Sequence, residues 1–152
     1  KQYTRSTPQY IADNMLNRKF QAEAPNEKWL TDVTEFKYGQ GQKAYLSAIL
    51  DLHANDCLGL GIRTTTSSFE TLDQALEAEP GATPMLTAIG GSNTPFKRKL
   101  DKAKMKQSMS RVSGCIDNGP MEAFWGTLKC EGIISYITFE ELEKDIHAYI
   151  HF

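Results

Sequence analysis

Trp29 to Thr65 reads WLTDVTEFKYGQGQKAYLSAILDLHANDCLGLGIRTT, and this stretch decides the fold. It holds three strand-like runs in quick succession. Trp29 to Tyr38 alternates in part: Trp29, Thr31, Val33 and Glu35 share one side, and Leu30, Asp32, Thr34 and Phe36 the other. Gly39-Gln40-Gly41-Gln42 is a turn. Ala44 to Leu52 is apolar enough to be a buried strand, His53 to Asp56 is the next turn, and Cys57 to Thr65 is a third strand. Short turns between successive strands predict an antiparallel meander, because only antiparallel neighbours can be joined so tightly.

Downstream of the meander the period changes. Ser67-Ser68-Phe69-Glu70 has the pattern of a capping box, and Phe69, Leu72, Ala75 and Leu76 mark a helix that stops at Glu79-Pro80-Gly81. Pro84 to Ile89 is a short buried-type strand, Gly90 to Pro95 a loop, Phe96 to Ala103 helical and Met105 to Met109 strand-like. Thr138-Phe139-Glu140-Glu141 is a second capping box. It opens a last helix with Phe139, Leu142, Ile146, Tyr149 and Ile150 on its core face. The order is β-β-β-α-β-α-β-α-α. It predicts an α/β domain of RNase H-like fold, a mixed five-stranded sheet flanked by helices.

Between the last strand and the last helix lies Cys115-Ile116-Asp117-Asn118-Gly119-Pro120-Met121-Glu122-Ala123-Phe124-Trp125-Gly126-Thr127-Leu128-Lys129. Asp117 or Asn118 can cap a helix there, and Pro120 suits its first turn. Met121, Phe124, Trp125 and Leu128 form one apolar stripe, with Glu122, Gly126 and Lys129 off its centre. On helix pattern alone Glu122 is an ordinary solvated acid. Asp32 is more pointed. A carboxylate in the middle of a buried-type strand costs desolvation unless it is hydrogen-bonded or binds a metal; an edge or sheet-end position is the alternative.

Residues 1–27 are expected to form an arm or linker, and residues 28–152 one domain. Lys1 is not Met, so the chain is expected to begin inside a longer protein. No apolar run approaches the ~20 residues of a membrane span. Cys57, Cys115 and Cys130 form no CxxC pair, and His53, His147 and His151 complete no zinc pattern. The net charge of −2 argues against an evenly basic nucleic-acid binder. Charge is uneven, however. Lys97, Arg98, Lys99, Lys102, Lys104, Lys106 and Arg111 are opposed within their span only by Asp101. Such a strip is either a solvated helix face or a phosphate-facing surface.

The runs NEKWLTDVTEF, KAYLSAILDL, KQSMSRVSGCIDNGPMEAFWGTLK and TFEELEKDIHAYI together resemble the catalytic core of bacterial insertion-sequence transposases of the DDE type, whose domain is retroviral-integrase-like. The resemblance covers nearly the whole chain. It implies DNA transposition by phosphodiester cleavage and strand transfer, in a bacterial cytoplasm, with DNA ends and target as partners and a homo-oligomer in the full-length family. It also implies Mg²⁺ or Mn²⁺ in a two-metal site. Hard cations of this kind need carboxylate oxygens, and two metals roughly 4 Å apart stabilise both the attacking and leaving oxygens. By position the first carboxylate is Asp32 and the last Glu122. DNA contacts are implied at Lys97, Arg98, Lys99, Lys102, Lys104, Lys106, Arg111, Asn118 and Lys129. Relatives continue past the position of His151-Phe152, so a C-terminally truncated core is expected.

The resemblance fails at one place. The second Asp belongs after the fourth strand, in a motif such as H-S-D-R-G-F-Q-Y-T. Here the chain reads Thr87-Ala88-Ile89-Gly90-Gly91-Ser92-Asn93-Thr94-Pro95, and Ile89 takes the position of the acid. No acid stands between Glu79 and Asp101, and the spacing to Glu122 is shorter than usual for the family. The substitution has a pattern. CAC AGC GAT AGG GGG TTC CAA TAC ACC encodes the motif; without its first base it encodes Thr-Ala-Ile-Gly-Gly-Ser-Asn-Thr-Pro. The segment therefore reads as a frameshifted copy of the catalytic loop, which the gene's codons test directly. Asp51 and Asp117 are conceivable stand-ins. The resemblance then implies either a crippled catalytic core or a non-catalytic remnant that binds DNA or a sister subunit.

Overall fold

The computed structural model describes residues 20–65, 69–89, 94–110, 119–131 and 136–150. Three strands, β1 (Lys28–Tyr38), β2 (Gln42–Asp51) and β3 (Asp56–Arg63), form the expected antiparallel meander. Helix α1 (Phe69–Ala78), strand β4 (Met85–Ile89), helix α2 (Thr94–Lys102) and strand β5 (Lys106–Ser110) follow. Helices α3 (Gly119–Glu131) and α4 (Phe139–Ile150) end the order. The five strands make one sheet in the order β3-β2-β1-β4-β5, with β4 parallel to both β1 and β5.

Alternation along the strands separates two cores. Leu30 of β1, Leu46, Ala48 and Leu50 of β2 and Leu60 and Ile62 of β3 pack with Met121, Trp125 and Leu128 of α3 and Leu142 and Ile146 of α4. The opposite face carries Trp29, Ile49 and Leu86, covered by Leu72 and Ala75 of α1 and Phe96 and Leu100 of α2. Period two in the strands and period 3.6 in the helices meet face to face, so α1 and α2 lie across the sheet from α3 and α4. Gly59 permits the close seating of α1, since a Cβ there would run into the Thr71 carbonyl oxygen. The α4 capping box forms as expected: Glu141 N–H donates to Thr138 Oγ1 at 3.3 Å, and Thr138 N–H to Glu141 Oε2 at 3.3 Å. The residues of the first capping box, Ser67 and Ser68, lie outside the described residues.

Residues 20–27, expected to belong to an arm, are stitched to the domain. Phe20 and Ala22 pack against the first core. Asn26 N–H donates to Asp51 Oδ2 at 2.9 Å, and the Asn26 amide donates to Glu79 Oε2 at 2.8 Å. Strand β3 ends at Arg63, short of the expected Thr65, and β5 begins one residue late, because the Met105 N–H is taken by the Leu100 carbonyl at the end of α2.

Candidate active site

Strand β1 outruns its parallel neighbour. Its pairing with β4 ends at Thr31↔Ala88, whereas its pairing with β2 continues to Tyr38↔Gln42. Thr31 is buried, and from Asp32 onward the strand is half-buried. Asp32 thus stands at the carboxyl ends of the parallel strands, where open α/β sheets form a crevice. Ile89 ends β4 one residue past the last β1–β4 pair, so it occupies the strand position beside Asp32.

Helix α3 crosses β1 on the Asp32 face, and three contacts fix it there. Trp125 Nε1 donates to Asp32 Oδ2 at 3.1 Å. Lys129 Nζ donates to Thr34 Oγ1 at 2.7 Å and sits 5.4 Å from the centre of the Phe36 ring, in cation–π range. Every second strand residue (Asp32, Thr34, Phe36) meets helix residues one turn apart (Trp125, Lys129), as the two periods require. Glu122 lies one turn before Trp125, exposed. Its charge reaches Asp32. Burial pushes the Asp32 carboxyl above the usual carboxylate range; the Trp125 N–H and the Val33 backbone N–H oppose this, Glu122 adds to it, and Lys129 opposes it.

The structure thus brings together Asp32, Glu122 and Lys129, which were expected from the sequence. It adds Trp125, Thr34 and Phe36, which were not. Trp125 was read only as part of the apolar stripe, and its indole N–H became a polar contact through its place opposite Asp32. Both carboxylates are hard oxygen donors that suit a divalent cation. Among the described residues no group of three His, Cys, Asp or Glu side chains is placed to hold a metal ion. Asp51 is corrected as a stand-in. It pairs with Trp29 at the other end of β1, and its carboxylate is committed to the backbone N–H groups of Asn26 and His53. Asp117, Asn118 and Arg111 lie outside the described residues. Burial pushes the Cys57 thiol up to about 11, which disfavours its thiolate.

The basic strip is not part of this constellation. Phe96 and Leu100 seat α2 on the opposite face of the sheet, so the α2 residues Lys97, Arg98, Lys99 and Lys102 lie away from α3, whereas Lys106 of β5 pairs with Met85, which packs against the first core. Lys97 pairs with Asp101 at 3.0 Å and Lys99 with Asp73 at 2.6 Å, so two of the strip's charges are partly neutralised.

No family model matches the chain. It is 41% identical over 152 residues to a transposase-like protein of Haemophilus influenzae, covering 94% of this chain and 69% of that protein. It belongs to the insertion-sequence transposase family. A putative transposase InsK for insertion sequence element IS150 of Escherichia coli is 38% identical over 93% of this chain and 53% of its own length. A probable transposase for element IS1353 of Shigella flexneri is 35% identical over 95% of this chain and 30% of its own length. The chain therefore spans about half of InsK and less of the IS1353 protein. Among solved structures, the catalytic domain of Mos1 mariner transposase superposes with a TM-score of 0.64 at 8% identity, over 83% of this chain and 70% of that one. A chain of a simian T-cell lymphotropic virus intasome does so at 0.51 and 16%, over 73% of this chain and 44% of that one. The fold of this transposase chain is that of RNase H-like transposase and integrase cores, as the element order predicted. No helix among its described residues is long and apolar enough to cross a membrane.

Proposed function

We propose that this chain is the catalytic core of an insertion-sequence transposase whose phosphodiester chemistry is crippled by the loss of its second carboxylate. One observation carries the reading. Asp32 of β1 lies under α3, hydrogen-bonded to Trp125 one turn after Glu122, while the β4 position beside Asp32 is Ile89, which has no oxygen to offer.

The residues present fit part of a metal site. Asp32 and Glu122 would hold a Mg²⁺ or Mn²⁺ ion, and such an ion, when bound, supplies charge stabilisation to the oxygens of a phosphodiester. Asp32 is oriented for this by Trp125, which occupies Oδ2. Lys129, pinned by Thr34 and Phe36, is a fixed cation for a backbone phosphate of DNA. Without the β4 carboxylate, backbone carbonyls and water must complete the coordination shell, with weaker affinity and looser geometry. Misplacement of about 1 Å is enough to cost on the order of 100-fold in rate. DNA contact is far less affected, because phosphate binding does not pass through Ile89. A DNA-binding or subunit-binding remnant is therefore the second reading, favoured by the same missing ligand.

Calorimetric Mn²⁺ titration of this chain beside its Ile89→Asp variant tests the proposal. The variant is expected to bind at least about tenfold more tightly, as a restored ligand should. Equal, tight binding by both chains, or robust metal-dependent strand transfer by the chain as it stands, would overturn it.

A further inference from the structure

The chain joins the sheet through a tie that is mostly polar. None of residues 20–27 is buried, whereas Trp29, Leu30 and Thr31 directly after them are. Most of the tie passes through Asn26. Its backbone N–H donates to Asp51 Oδ2 at the end of β2, at 2.9 Å. Its side-chain amide donates to Glu79 Oε2, just past α1, at 2.8 Å, and its Oδ1 accepts from the Trp29 indole N–H at 3.0 Å. An indole only donates and a carboxylate only accepts, so these two partners fix which way the amide faces. The Asn26 backbone is left-handed, with φ of 61°, a conformation asparagine adopts more readily than most residues with a side chain. One residue thereby joins β1, β2 and α1.

The rest of the attachment is light. Lys28 Nζ donates to the Gln21 carbonyl at 2.9 Å, and His53 Nδ1 lies 3.3 Å from the Ala22 carbonyl oxygen. Phe20 and Ala22 are only half-buried against the first core. Glu27 Oε2 accepts from the Glu23 and Ala24 N–H groups at 2.7 and 3.4 Å, which stiffens the turn within itself. At Glu27 the attachment changes character. Its carbonyl accepts from Met85 N–H, and the Lys28 carbonyl accepts from Leu52 N–H, both at 3.0 Å, so the sheet ladder begins there. Local opening belongs to segments held by few apolar contacts and by exposed hydrogen bonds. Residues 20–26 meet that description up to the start of the ladder. Asp51 is buried beneath them and regains water when they leave, which offsets the loss of its bond to Asn26.

We propose that residues 20–26 form a strap that opens and closes as a unit, with Asn26 as its latch and Glu27 as its hinge. Closed, the strap fixes the direction from which the chain enters the sheet. Open, it frees that direction while the five strands stay paired. A contact that favours one state of the entering chain shifts the strap toward that state. The strap lies at the amino ends of β1 and β4, and Asp32 at the other end of their ladder. Neither Asp32 nor α3 takes part, so the device stands or falls apart from the metal reading.

Native-state hydrogen exchange of this chain, followed residue by residue by NMR through a series of sub-denaturing urea concentrations, is the test. The Asn26 backbone N–H and the Trp29 indole N–H are expected to share one opening constant that urea barely changes, because a local opening exposes little surface. The Met85 and Leu52 amides, in the ladder, should be protected at least about a hundredfold more and show a steep urea dependence. Glu79→Ala removes one anchor that touches neither probe bond. It should speed exchange of both probes by the same factor, about tenfold, and leave Met85 and Leu52 unchanged. Glu79→Gln keeps an acceptor and should stay within about threefold of the parent. Unequal responses of the two probes to Glu79→Ala would mean separate contacts and no unit. Exchange of both probes only with the urea dependence of Met85 and Leu52 would make the segment part of the domain. Exchange without any protection would mean that no closed state exists. Each of these three results overturns the proposal.

Discussion

Strands β1 and β4 run side by side in parallel, yet their ends differ sharply. Beyond Thr31, β1 carries Asp32 hydrogen-bonded to Trp125, then Thr34 and Phe36 under Lys129. Beside Leu30, β4 carries Thr87, fully buried with no hydrogen-bond partner for Oγ1 among the described residues, and it then ends at Ile89. Both strands fold, because a sheet asks only for backbone pairing and apolar alternation, and Leu86 and Ala88 still provide it. Under the proposed function a metal-assisted reaction asks for a particular atom at a particular place, and Ile89 does not offer it; the architecture then tolerates a side chain that the chemistry does not.

The largest expected effect lies on the β1 side. Trp125→Ala removes a nearly fully buried side chain and should cost about 3–5 kcal/mol in urea unfolding. Trp125→Phe keeps most of the packing and loses the bond to Asp32, so about 1–2 kcal/mol is expected. If the two variants lose equally, the hydrogen bond and not the packing secures α3.

On the β4 side the sign should reverse. Thr87→Val removes an orphaned hydroxyl at nearly constant volume, and a gain of about 1 kcal/mol is expected in the same measurement. A loss would show that the hydroxyl has a partner in the folded state, and the contrast between the strands would weaken.

The smallest effect is electrostatic. Burial raises the folded-state pKa of Asp32, so the folded chain holds that proton more tightly than the unfolded one. Stability from this group is greatest in acid and falls as pH rises from the ordinary value of about 4 through the raised one. Asp32→Asn keeps an oxygen for Trp125 and removes the charge. It should be more stable than the parent at pH 7, with the gain vanishing below about pH 4. A gain that persists unchanged in acid would rule out charge burial as its cause.

Much of this was legible in the sequence. Turn residues at 39–42 and 53–56 delimit the meander, and the shift from period two to period 3.6 marks α1 and the later alternation. Asp32 stood out as an acid within an apolar run, and Ile89 as the wrong residue in a recognisable motif. Trp125, Thr34 and Phe36 were not legible, since nothing local tells an indole in an apolar stripe that it will face a carboxylate 93 residues away. Asp51 was legible only as an acid near a strand end; that it is committed to holding Asn26 and His53 depends on where the chain returns.

By itself the sequence determined the element order and the strand faces. These follow from patterns in which each residue's role is set by its near neighbours. Only the tertiary structure decided which strand face α3 covers, that Ile89 sits beside Asp32, and that α2 with its lysines lies on the opposite face of the sheet. Those relations are between residues far apart in the chain, and they are set by how two apolar cores close on opposite faces of one sheet.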